Sequence, residues 1–171
     1  NNLAPTSSTT AQLVIGDAIA ICLSELKGFD KTDFAKFHPA GVLGKKLNLK
    51  VKDLLDKDVK PMVYINCGIK KIIGEISQKM LGATAVIENE KIVGIITDGD
   101  LRRFLNKNLE IVNAKSKDLM STNPISVCSN VLAAEALSIM NNRKISQLLV
   151  VDDLKYLGII HIHKILNEGI E

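Results

Sequence analysis

The chain has 171 residues, 46% hydrophobic and 24% charged, which suffices for one good core or two small ones and excludes disorder over most of its length. Its 22 basic and 19 acidic residues are interspersed and leave a net charge of +3, so the concentrated basic footprint of a nucleic-acid binder is absent, as is a base-stacking platform in a chain without Trp. Cys22, Cys67 and Cys128 are far apart, show neither a zinc spacing nor a redox motif, and fit a reducing, cytoplasmic compartment. The first methionine is Met62 and the opening lacks the regions of a signal peptide, so the chain reads as a fragment of a longer protein.

From the N-terminus, Thr6-Ser7-Ser8-Thr9-Thr10 leads into a helical pattern from about Ala11 to Lys27, closed by Gly28 at the C-terminal cap. The hydroxyl run is therefore a helix start. Two readings of Ser7, Ser8 and Thr9 stand: N-capping, or contact with a phosphate held by the free amides. The helix is apolar on most faces, through Leu13, Val14, Ile15, Ile19, Ile21 and Leu23, and is expected to be buried on several sides. So few residues cannot cover it, which calls for a missing domain or another subunit. Its apolar run is broken by Gly16 and Asp17 and reads as too short for a bilayer, so no membrane association is expected. Asp17 is expected to be a buried structural partner rather than a catalyst.

Phe37-His38-Pro39-Ala40-Gly41-Val42-Leu43-Gly44 follows. Pro39 biases His38 out of helical geometry, and Gly41 and Gly44 permit sharp turns, so the imidazole sits on irregular backbone at a seam. Such a histidine is a candidate for proton transfer, the alternative being a polar core or loop contact.

An internal repeat fills the rest. Lys52-Asp53-Leu54-Leu55 recurs as Lys117-Asp118-Leu119-Met120 and Gly94-Ile95-Ile96 as Gly158-Ile159-Ile160, offsets of 65 and 64 residues. Each copy reads as a short strand, a helix, two β-rich runs across a polar turn, and a second helix. The first supplies Ile69, Ile72, Ile73, Ile76 and Met80 on its helix, and turns at Asn89-Glu90-Lys91. The second supplies Leu132, Ala133, Ala136, Leu137 and Met140, and turns near Asp152-Asp153. One copy cannot cover both faces of its small sheet, so the two are expected to pack sheet to sheet about a pseudo-twofold axis. The expected fold is α/β, two β-α-β-β-α repeats over residues 50–110 and 111–171, preceded by a helical segment over residues 1–49.

The Lys-Asp-Leu-Leu/Met lead-in and the run Gly-Ile-Ile-Thr-Asp-Gly-Asp-Leu at Gly94–Leu101 resemble a pair of CBS domains, a nucleotide-sensing module. The resemblance implies that Thr97 contacts phosphate and that Asp100 grips both ribose hydroxyls of a regulatory adenine or cytidine nucleotide. The residues themselves keep a plainer reading open, in which Asp98 or Asp100 caps the following helix. Arg102 and Arg103 read as solvated helix residues. In the second copy His161, His163 and Lys164 replace Thr97, Gly99 and Asp100, so at most one conventional nucleotide site is expected. His161-Ile162-His163 fits a strand-end or interface role better than a metal site, and no metal is expected.

Leu3-Ala4-Pro5-Thr6-Ser7-Ser8-Thr9-Thr10, Gly16-Asp17-Ala18 and His38-Pro39-Ala40-Gly41-Val42-Leu43-Gly44, ahead of such a pair, resemble the arabinose 5-phosphate isomerase family. Ala40 and Val42 depart from the usual His-Pro-Gly-Gly-Ala-Leu-Gly loop. The resemblance implies that residues 1–49 end a doubly wound SIS (sugar isomerase) domain. It implies a parent enzyme that interconverts arabinose 5-phosphate and ribulose 5-phosphate for lipopolysaccharide synthesis, with His38 catalytic and no catalytic cofactor. It implies homo-oligomers as well, dimeric through the CBS pair and tetrameric for the parent. The family's other catalytic groups would lie upstream, so the chain alone is expected to be inactive.

Overall fold

The computed structural model describes residues 4–38, 41–56, 58–107 and 112–171. They form two compact units, Asn1–Leu47 and Asn48–Glu171.

The first unit carries α1 (Thr6–Leu26), α2 (Lys31–Phe37) and most of α3 (Val42–Asn48). At the end of α1 the amides of Gly28 and Phe29 donate to the carbonyls of Glu25 and Ser24, at 3.0 and 2.9 Å, around a left-handed Gly28. This is the cap expected from the sequence. No residue of α1 is buried, and its apolar side chains stand in the open, Leu13 at 66% and Leu26 at 83% exposure. Asp17 is exposed with them, so the expectation of a buried partner fails: in water its carboxylate needs none. The helix runs unbroken through Gly16 and Asp17, and its 21 residues are long and apolar enough to cross a membrane by length and composition. The interruption at those two residues therefore does not make the helix too short for a bilayer, contrary to the expectation from the sequence.

Asp30 caps α2 by accepting the amides of Thr32 and Asp33, while the Asp33 carboxylate accepts the amide of Asp30. Gly44 is a buried position inside α3, not the turn expected of it. Leu3, and Pro39 and Ala40 of the histidine loop, lie outside the described residues.

The second unit holds the repeat. Its first copy contains α4 (Val51–Leu54), β1 (Met62–Tyr64), α5 (Ile69–Lys79), β2 (Ala83–Glu88), β3 (Lys91–Thr97) and α6 (Asp98–Lys107). Its second contains α7 (Ser116–Leu119), β4 (Ser121–Thr122), β5 (Ser126–Val127), α8 (Ala133–Arg143), β6 (Gln147–Asp152), β7 (Lys155–His161) and α9 (Ile162–Leu166). One sheet has the order β1-β2-β3-β4 and the other β5-β6-β7. In each, a parallel pair is followed by an antiparallel hairpin with a register shift at the same place, Val86/Ile87 and Val150/Val151. Asn89-Glu90 and Asp153-Leu154 make the two hairpin turns with positive φ at both positions, the backbone that matches strand twist in two-residue loops.

Alternation along the strands and helical spacing on α5 and α8 give each copy its own core. Ile69, Ile72, Ile76, Val86 and Ile96 fill the first; Ala136, Leu137, Met140, Leu148 and Ile160 fill the second. A third cluster, Ala83, Ala85, Ile87, Leu149 and Ile159, joins the two sheets as the pseudo-twofold packing requires.

The lead-ins do not pack where the sequence order places them. Lys50 bridges to Leu132, and the amides of Val51 and Lys52 donate to the carbonyls of Val131 and Ser129, all in the second copy. Reciprocally, Lys115 bridges to Gly68, and the amides of Ser116 and Lys117 donate to Cys67 and Ile65 in the first. Val51 is fully buried in the second core, and Ala114 and Leu119 are buried in the first. Each copy is therefore completed by the other's lead-in. The exchange also lays β4 beside β3, with Gly94 opposite Thr122.

A Cβ on Gly94 would lie 2.9 Å from the Ser121 carbonyl oxygen and 2.8 Å from the Met120 sulfur. The sulfur can swing aside, but the backbone cannot without moving β4. Gly94→Ala is therefore expected to cost about 1–3 kcal/mol of stability in urea unfolding. Stability equal to the wild type would show that β4 is not held against β3 in this way.

Candidate functional site

Thr97 ends β3, and α6 begins at the next residue. The Asp100 carboxylate accepts the Thr97 amide at 2.9 Å and its hydroxyl at 2.7 Å through Oδ2. The Asp100 amide in turn donates to Thr97 Oγ1 at 3.2 Å. Thr97 is thus the N-cap and Asp100 the third helical residue of a reciprocal capping box. Of the two carboxylates considered for capping, Asp100 fills the role, from inside the helix.

Asp100 Oδ1 is engaged as well, by the Arg103 guanidinium at 2.6 Å and the Ser121 hydroxyl at 3.1 Å. Asp100 is only 8% exposed. Burial pushes its carboxyl up, but the bonds from Thr97, Arg103 and Ser121 outweigh it and hold the group below the ordinary carboxylate value. The carboxylate is therefore ionised at neutral pH and faces a cleft of about 400 Å³. Thr97, Asp100 and Arg103 line one wall, Ser121 to Ile125 a second, and Lys144 to Gln147 a third. Ile95, Ile125 and Ile145 offer apolar surface to a flat group, Asp100 offers an acceptor, and Arg103 and Lys144 offer positive charge.

The expected pair, Thr97 and Asp100, is thus brought together. Arg103 departs from its expected role: its side chain is 67% exposed, yet its guanidinium bonds Asp100 instead of standing free in solvent. Ser121 was not legible as a site residue. Its contact spans 21 positions and depends on the lead-in exchange, which no local pattern announces. The Lys144 wall carries one readable signal, since Lys144 is 64 residues beyond Met80 and both adopt the left-handed backbone that ends a repeat helix.

The pseudo-twofold mate is a cavity of about 600 Å³ near Gly82, Asp98, His161, His163, Lys164 and Asn167. Lys164 stands where Asp100 would, so the carboxylate that faces the first cleft from the third position of its helix is replaced here by a cation. His161 and His163 do not share a strand face, because β7 ends at His161 and α9 starts at Ile162. His161 Nδ1 instead accepts the His163 amide at 3.2 Å, a capping role, and the rings lie 5.0 Å apart. Burial, then the neighbouring His163, lowers the His161 pKa. Among the described residues no group of three His, Cys, Asp or Glu could hold a metal.

In the first unit, His38 caps the C-terminus of α2 with φ −127° and ψ 57°, non-helical as a residue before proline should be. Its ring is exposed and stacks on Phe34, centroids 4.6 Å apart. The hydroxyls of Ser8 and Thr9 donate to the Pro5 carbonyl at 3.0 and 3.1 Å. The N-cap of α1 is Pro5, without a side-chain cap, so the N-capping expectation for Ser7, Ser8 and Thr9 is corrected: in this helix hydroxyls turn back to the preceding carbonyls.

A family model described as CBS domain matches residues 51–107 and 117–171. The chain is 42% identical over 98% of its length to the arabinose 5-phosphate isomerase KdsD of Yersinia pestis, and spans about half, 52%, of that relative's length. Among solved structures it is similar to the CBS domain pair of MJ0100 in complex with 5′-methylthioadenosine and S-adenosyl-L-methionine, with TM-score 0.63 and 24% identity over 70% of this chain and 94% of that one. It is also similar to CBSX2 in complex with AMP, with TM-score 0.61 and 21% identity over 70% of this chain and 95% of that one.

Because the Asp100 pKa is lowered in the folded chain, the stability its charge contributes is complete above the ordinary value of 3.8 and is lost as pH falls through the lower folded value. Asp100→Asn faces some donors with an amide instead of an oxygen and should cost roughly 1–3 kcal/mol at pH 7. In urea unfolding, that deficit is expected to hold from pH 7 to about pH 5 and to shrink below about pH 4. A deficit that does not change with pH would contradict the ionised, multiply bonded Asp100.

Proposed function

The chain belongs to the CBS domain family, and from that membership we propose that it is the ligand-sensing C-terminal part of an arabinose 5-phosphate isomerase. The observation that carries the isomerase reading is the extent of the similarity. It runs over 98% of the chain and so continues through the first unit, outside the residues matched as CBS domain. On this reading residues 1–49 end the isomerase domain, and residues 50–110 and 111–171 are the two regulatory repeats. The exposed apolar face of α1 is then the surface that the rest of that domain covers.

Aldose–ketose isomerisation of a pentose 5-phosphate needs ring opening and a proton moved between adjacent carbons through an enediol. His38 is the group of this chain assigned to that transfer. Ser7, Ser8 and Thr9 are assigned to the substrate phosphate, and no catalytic cofactor is involved. The remaining catalytic groups belong to the other half of the relatives' length. The parent works in the cytoplasm as a homo-oligomer on the way to lipopolysaccharide sugar.

The regulatory ligand is an adenine or cytidine nucleotide in the Thr97–Asp100 cleft. Asp100 accepts the two ribose hydroxyls, a pairing of one ionised acceptor with two donors, and Thr97 with the start of α6 meets the phosphate. The 5′-methylthioadenosine and S-adenosyl-L-methionine bound to MJ0100, and the AMP bound to CBSX2, support this reading only as a likeness of fold.

Calorimetry of the chain with AMP and with CMP is expected to show one-to-one binding of at least one of them, lost in Asp100→Ala. Binding indifferent to that change would remove Asp100 from the site, and binding of neither would favour a second reading, in which the repeats only hold subunits together through their apolar surfaces. The chain alone is expected to leave arabinose 5-phosphate unconverted; measurable ribulose 5-phosphate would overturn the division of the active site.

A further inference from the structure

A diol needs an acceptor with room on it, and Asp100 has little. Its two oxygens accept four hydrogen bonds, from the Thr97 amide and hydroxyl, the Ser121 hydroxyl and the Arg103 guanidinium. A carboxylate offers about four lone-pair sites, so the free chain leaves no vacancy for two ribose hydroxyls.

The four donors differ in how easily they leave. The Thr97 amide is fixed in the backbone of a capping box, and its hydroxyl is tied to the Asp100 amide as well. Ser121 sits on β4, held against β3 beside Gly94. Arg103 is a long, flexible side chain, 67% exposed, on the first turns of α6. It reaches Asp100 by folding back across that turn. Gly99 leaves the path clear: a Cβ there would lie 3.2 Å from one guanidinium nitrogen and 3.7 Å from the other.

We infer that Arg103 is a latch on the nucleotide cleft, closing Asp100 Oδ1 in the free chain and swinging away when one ribose hydroxyl takes its place, while the second is met as the Ser121 hydroxyl turns its hydrogen from the same oxygen. The inference rests on the nucleotide reading above and adds a competitor to it. An ion pair with one partner mostly in water is worth at most about a fivefold change in an equilibrium constant, so the latch tunes affinity without abolishing it. Its strength falls as salt screens the pair. Once released, the guanidinium remains beside the cleft, which also holds Lys144.

The experiment compares AMP and CMP, each with its 2′,3′-dideoxy analogue, on the wild-type chain and on Arg103→Ala, by calorimetry at about 50 and 500 mM NaCl, a span over which the Debye length drops several-fold. The ratio of the dideoxy dissociation constant to that of the parent nucleotide isolates the diol, because any effect of Arg103 on the phosphate cancels. The latch predicts that Arg103→Ala raises this ratio about fivefold at low salt. It also predicts that the wild-type ratio climbs toward the variant's at high salt, while the variant's stays flat. A ratio equal in the two proteins, with both nucleotides weakened alike, would assign Arg103 to the phosphate and overturn the latch while leaving the nucleotide reading standing. Binding of neither nucleotide by either protein would overturn that reading and the latch with it.

Discussion

The reciprocal exchange of lead-ins is the constraint from which the rest of the second unit follows. Val51 completes the core of the second copy while Ala114 and Leu119 complete that of the first, so neither copy is whole alone. A repeat of this size cannot bury enough apolar area by itself, and the exchange supplies what the shared sheet interface does not. It also decides where the site lies. β4 belongs to the second lead-in but pairs with β3 of the first copy, which brings the Ser121 hydroxyl to Asp100. The cleft is therefore a property of the pair and not of a repeat.

The two clefts show how duplicated backbone comes to carry different chemistry. Met80 and Lys144 end equivalent helices in the same left-handed conformation, and the register shifts fall at equivalent places. The side chains then diverge. One cleft presents an ionised carboxylate among donors; the other presents Lys164 and two histidines. The backbone keeps the symmetry that folding needs, and the ligand chemistry is concentrated on one side.

Much of this was legible in the sequence, for physical reasons that also mark where legibility stopped. The repeat, the hairpins and the apolar faces of α5 and α8 follow from local period and turn chemistry, and Thr97 with Asp100 follows from spacing within one helical turn. Ser121 was missed because it reaches Asp100 through the exchange, across 21 positions that no local pattern spans. Arg103 lies one helical turn from Asp100, an i,i+3 spacing that does encode an ion pair, and the reading of it as a solvated residue overlooked that local signal. In the first unit, the apolar length of α1 implies a need for burial, and for Asp17 with it. The chain leaves both in the open, which agrees with a helix whose covering lies elsewhere but gives the carboxylate no buried role.

On the proposed reading, one cleft, built by both copies, senses a nucleotide. A nitrogen-15 correlation spectrum of the chain titrated with AMP tests it most directly, because it reports every amide at once. Thr97, Ser121, Thr122, Asn123 and the Lys144–Gln147 segment are expected to shift together, on one binding curve, while His161, His163 and Lys164 stay in place. Shifts confined to the histidine cleft, or to one copy alone, would contradict it.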